Sequence, residues 1–164
     1  MRHRQPRGPA TAKCFLFGWV AGWAAMLYLS CVLIWLAGLA RVVSGAHGAA
    51  AVFAIADAVS PWAKLAIGIA IGACLLARRW LMPLAGGQGL LADGVLAAVG
   101  MALSLALLPQ EWSAGFGIGL TGARFAPLAS LLYLCSALLG GVLAGQLEAS
   151  CRTNRSKLND IYRD

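Results

Sequence analysis

The chain reads as an all-α integral membrane protein, a bundle of four transmembrane helices with both termini in the cytoplasm, on three observations. Of its 164 residues, 60% are apolar and 12% charged, against about 45–50% and about 25% in soluble domains. Mean hydropathy is +0.77. The 13 basic and 6 acidic residues gather between charge-free stretches close to the roughly 20 residues a helix needs to cross a bilayer. An ordinary soluble domain is excluded, and so is a disordered chain, whose signature is high charge with low hydrophobicity.

Three segments follow: a basic tail 1–13, a membrane domain 14–147 with spans of about 15–39, 61–77, 90–108 and 125–147, and a second basic tail 148–164. Charge marks the ends of the spans, because an ionised group at mid-bilayer costs at least ~2.5–3.5 kcal/mol. In the first span Trp19 and Trp23 lie near the start and Trp35 near the end, positions that suit half-polar rings at the two interfaces. The second opens on Pro61, holds Lys64 within snorkelling reach of that end, and closes on Arg78-Arg79-Trp80. The third follows Gly86-Gly87-Gln88-Gly89, carries Asp93 in its first turn, where the helix dipole favours an acid, and stops at Pro109. The fourth begins at Ala126-Pro127. Residues 42–56 are apolar but contain glycines, Ser44 and His47, and read as a helix or loop on the outer surface.

Basic residues set the orientation. Arg2, Arg4, Arg7, Lys13, Arg78, Arg79, Arg152, Arg155, Lys157 and Arg163 fall on one side, and only Arg41, Lys64 and Arg124 on the other. Ten against three places both tails and the middle loop on the cytoplasmic side of a cell membrane. The first apolar run exceeds the ~7–15 residues of a signal-peptide core, so it reads as an uncleaved anchor. The formal net charge of +7 is then an orientation signal that attracts anionic lipid. The expected partners are the bilayer, a second copy or a membrane or cytoplasmic protein, and no nucleic acid.

Reactive constellations are sparse. Cys14, Cys31, Cys74, Cys135 and Cys151 show no C-x-x-C pair and read as small buried hydrophobes or free thiols, with Cys14 and Cys151 placed for acylation. His3 and His47 lack a second ligand at helical spacing, so neither a metal nor a cofactor is expected. Asp93 is the one candidate functional acid near membrane depth, and its structural reading is a helix-start acid close to Arg78 or Arg79. Gly117-Ile118-Gly119-Leu120-Thr121-Gly122 imitates a dinucleotide fingerprint but lacks the strand before it and the helix after it. No catalytic residue is expected.

Packing signals are denser. Gly18 with Gly22, Gly68 with Gly72, Gly100 with Ser104 and Gly141 with Gly145 place small residues four apart, which lets helix backbones approach in lipid. Ser30, Ser104, Ser130 and Ser136 bond either across helices or within their own. After the fourth span, Glu148 precedes Arg152 by four residues, the favourable order for a helical ion pair, and Leu147, Cys151, Leu158 and Tyr162 fall roughly on one face, so the tail reads either as a helix continuing outward to meet lipid headgroups or a cytoplasmic partner, or as a frayed, solvated end.

Two stretches carry a family resemblance. Leu84-Ala85-Gly86-Gly87-Gln88-Gly89-Leu90-Leu91 through Gly100, and Leu147-Glu148-Ala149-Ser150 through Leu158-Asn159-Asp160, resemble the bacterial four-helix membrane proteins grouped as domain of unknown function 2975. The chain departs from that pattern in lacking an aromatic-plus-hydroxyl pair after the loop glycine and basic residues at the start of span three, and in its basic tail. The resemblance implies the four-span topology, no catalytic residues, and a regulatory partner on the membrane's inner side. The functional expectation is a non-enzymatic accessory or regulatory subunit, with a small oligomeric transporter or channel subunit as the alternative.

Overall fold

A computed structural model describes residues 9–39, 48–81, 89–108 and 127–161. They form five helices and no strands: α1 (Pro9–Leu36), α2 (Ala49–Ala58), α3 (Pro61–Leu81), α4 (Gly89–Leu107) and α5 (Pro127–Ile161). Four of these, all but α2, are long and apolar enough to cross a membrane. Prolines open α1, α3 and α5, where a missing N–H removes no helical bond. His3, His47, the 86–88 glycine loop, the 117–122 glycine string and Tyr162 lie outside the described residues.

α2 has 10 residues, a rise of about 15 Å, half of a bilayer core of about 30 Å. It buries Ala51 and Ile55 against the bundle, and Phe53 meets Tyr28 of α1 edge to face at 5.9 Å. This is a short helix leaning on α1.

Helices in contact run antiparallel, as their paired close approaches show. A Cβ on Gly22 would sit 2.6 Å from the Gly140 carbonyl oxygen, and one on Gly18 2.6 Å from that of Ala144. A Cβ on Gly141 would sit 2.5 Å from the Asp93 carbonyl oxygen, and one on Gly100 2.9 Å from the Ile71 Cα. Helices α1 and α4 therefore flank α5 at backbone contact, and α3 packs on α4. The core between them holds Met26, Ile67, Ile71, Leu75, Met101, Tyr133 and Ala137.

Two expectations are corrected here. Trp19 and Trp23 are half-buried and do not present their rings to the outside of the bundle. Their indoles turn inward onto α3, where a Cβ on Gly72 or Gly68 would come within 2.8 Å of the ring, and Trp19 Nε1 donates to the Gly68 carbonyl at 3.0 Å. The glycines provide the room, and the carbonyl satisfies a donor that lipid would leave orphaned. Among the described residues the exposed indoles are Trp62 and Trp80, at 63% and 74%, and Trp35, at 37%. Asp93 lies beyond the first turn of α4, where the dipole has faded. Arginines hold it instead.

Ser30, Ser104 and Ser136 each donate to a carbonyl three or four residues back, on Leu27, Gly100 and Leu132, at 2.8 Å. These hydroxyls bond within their own helices.

Candidate functional site

At the end of the bundle where α1 begins, α3 stops, α4 begins and α5 leaves the core, charged side chains converge. Arg78 and Arg79 occupy the last turn of α3, where the helix dipole favours cations. Neighbours in a helix point about 100° apart, so the two guanidiniums take different partners. Arg78 bonds Asp93, and Arg79 NH1 lies 3.5 Å from the same carboxylate oxygen. Arg79 also grips Glu148 of α5 with two donors: Nε donates to Oε1 at 3.1 Å and NH2 to Oε2. Its NH1 donates to the Leu75 carbonyl at 3.1 Å, and its guanidinium carbon stands 4.8 Å from the centre of the Phe15 ring. Arg152, one turn further along α5, donates to Glu148 Oε1, the oxygen that also accepts from Arg79 Nε.

Asp93 and Glu148 are each only 4% exposed. A lone carboxylate removed from water costs several kcal/mol, so such groups persist as ions only with strong partners. Three arginines around two carboxylates satisfy that condition and tie α3, α4 and α5 together. Glycines give the network its space: a Cβ on Gly145 would lie 2.6 Å from Asp93 Oδ2, one on Gly89 2.8 Å from Arg78 NH2, and one on Gly18 3.3 Å from Glu148 Cβ. Arg78 Nε is buried with no hydrogen-bond partner among the described residues.

The same end is bridged covalently. Cys14 of α1 and Cys151 of α5 form a disulfide with Cα atoms 5.6 Å apart, which corrects their reading as free thiols or acylation sites. The antiparallel α1–α5 contact at Gly18 and Gly22 brings together residues separated by 137 positions. Cys31 is buried, Cys74 half-buried, and Cys135 exposed on the outside of the bundle.

No protein-family model, curated protein or solved structure matches this chain. Its site is therefore defined by geometry.

The eight small residues singled out by spacing all lie in described helices. Gly18 and Gly22 face α5, Gly141 and Gly145 face α4, and Gly68 and Gly72 sit beneath indoles. Gly100 faces α3, and Ser104 bonds back to it. These contacts lie within one chain. Asp93 joins the ionic network. Two features escaped the sequence: Glu148 as the partner of Arg79, 69 positions away, and the Cys14–Cys151 bridge. The available signal was placement, since antiparallel spans put the start of the first, the end of the second, the start of the third and the end of the fourth at one level. Among the described residues no three His, Cys, Asp or Glu side chains come together as a metal site. The bundle's central void, about 10 Å³ between Trp19, Trp23, Ile71, Ala97 and Gly140, has room for at most about one water.

Proposed function

We propose that this chain is a non-enzymatic multi-pass protein of the cell membrane, bacterial and inner, with both termini in the cytoplasm, acting as an accessory or regulatory interaction subunit. The observation that carries the reading is the α5 arm. The helix has 35 residues, about 52 Å of rise, against a bilayer core of about 30 Å, and it continues past the ionic network to Ile161. The bundle is thus tied firmly at the end from which a basic helical arm leaves, a geometry suited to presenting that arm to a partner. The ten-to-three distribution of basic residues supports its cytoplasmic placement. A regulatory partner is what the resemblance read in the sequence to the family of domain of unknown function 2975 would imply.

Co-purification of the tagged full chain in mild detergent, with crosslinking through the arm, tests this. Recovery of one stoichiometric partner is expected, and a lone monomer from native membranes would count heavily against it. Reporter fusions to the two tails test the orientation. The transporter or channel alternative needs Asp93 free to exchange a proton or cation. Its ion pairs with Arg78 and Arg79 weigh the other way, and flux into liposomes holding the protein decides it.

A further inference from the structure

The seam between α1 and α5 has two flanks of opposite chemistry. The helices touch at Cys14, Gly18 and Gly22 of α1 and at Cys151, Ala144 and Gly140 of α5. Each residue is turned about 100° from the one before it, so in this antiparallel pair the residues that follow the contacts share one flank and those that precede them share the other. The following residues turn into the bundle: Phe15 onto Arg79, Trp19 onto Gly68, Gly141 and Gly145 onto α4, and Arg152 onto Glu148. The preceding flank faces outward. Lys13 and Ser150, each next to a bridged cysteine, are exposed there, as is Gln146 one turn before Ser150. Further along the same flank come Phe17, Val20 and Leu139, exposed at 60%, 47% and 54%.

We infer that this outer flank of the α1–α5 seam binds an anionic phospholipid. Its height fits a headgroup: the arginine–carboxylate network closes the same end of the bundle, and Trp80, exposed at the end of α3, marks a membrane–water boundary there. Its charge fits an anion. Three guanidiniums over two carboxylates leave that end one positive charge in excess, and the Lys13 ammonium adds a second. Its donors fit a phosphodiester, which only accepts: Lys13 Nζ takes the phosphate, and the Gln146 amide and Ser150 hydroxyl donate to phosphate or ester oxygens. Phe17, Val20 and Leu139 then lie against the acyl chains. The site forms whichever side of the membrane this end occupies.

The test uses the full chain in mild detergent with added phosphatidylglycerol or phosphatidylcholine, and native mass spectrometry reads the lipid retained. Phosphatidylglycerol is expected to be retained about fivefold better, the effect of one basic residue at an anionic headgroup. Lys13→Gln should abolish that preference and Lys13→Arg should keep it. Gln146→Leu with Ser150→Ala should lower retention of both lipids alike, because both carry the same ester and phosphate oxygens. Lys64→Gln, at the opposite end of α3, should change neither. Thermal melts should show phosphatidylglycerol stabilising the parent chain and Lys13→Arg more than Lys13→Gln. Equal retention of the two lipids, a preference that survives Lys13→Gln, or one lost equally in Lys64→Gln would overturn the site. The last result would assign the effect to net charge alone.

Discussion

Arg79 reaches from the last turn of α3 to Glu148 of α5 and holds both carboxylate oxygens, its Nε 3.1 Å from Oε1. The two residues are 69 positions apart, and each lies at the edge of its span. The pair joins two helices that otherwise meet through α4, Arg152 bonds the same carboxylate, and the Phe15 ring lies against the Arg79 guanidinium.

Breaking that pair from one side strands a buried charge. Glu148→Gln is expected to lower stability by about 3–5 kcal/mol, measured as a fall in thermal midpoint in detergent by intrinsic fluorescence. Arg79→Met with Glu148→Leu should cost less than the sum of the single changes, because the double variant leaves neither partner charged. Additive losses would show that the two side chains act independently.

Small residues at the α1–α5 contact set the helix separation. Gly22→Ala puts a methyl carbon 2.6 Å from the Gly140 carbonyl oxygen, and the helices must part. A loss of about 1–3 kcal/mol is expected. Leu107→Ala, at a residue 78% exposed on α4, should change little in the same melt.

The inward turn of Trp19 and Trp23 has an optical consequence. In liposomes with brominated lipid, variants retaining only Trp62 or Trp80 should be quenched strongly, and variants retaining only Trp19 or Trp23 weakly. Equal quenching would return the first pair to the interface. Trp19→Phe keeps most of the ring and loses the bond to the Gly68 carbonyl, a loss of about 1 kcal/mol.

Asp93→Asn separates structure from transport. Removing its charge leaves Arg78 without its carboxylate, so stability should fall by roughly 3 kcal/mol while any liposome flux is unchanged. Flux that disappears in a variant whose melt is intact would support the transporter reading.

What could be read directly from the residues was set by local chemistry. Charge-free length marks the spans, proline marks the starts of three helices, Arg78-Arg79 announce a favourable helix end and Glu148–Arg152 an ion pair within one helix, because these effects act over one or a few turns. The inward indoles were not legible, since an aromatic ring near a span end serves an interface or a groove equally well until the facing residue is known to be Gly68 or Gly72. The helix-start reading of Asp93 had the right neighbours and the wrong cause: its arginines lie on the preceding helix, and its place is past the first turn.

The sequence by itself determined an all-helical chain with four helices long and apolar enough to cross a membrane, because a bilayer forces apolar length and terminal charge into plain view along the chain. Only the tertiary structure decided that Arg79 pairs with Glu148, that Cys14 meets Cys151 and that glycines face backbones and indoles within one chain. Those contacts depend on which helix faces which and at what height. Both are properties of packing between spans, and no short-range pattern encodes them.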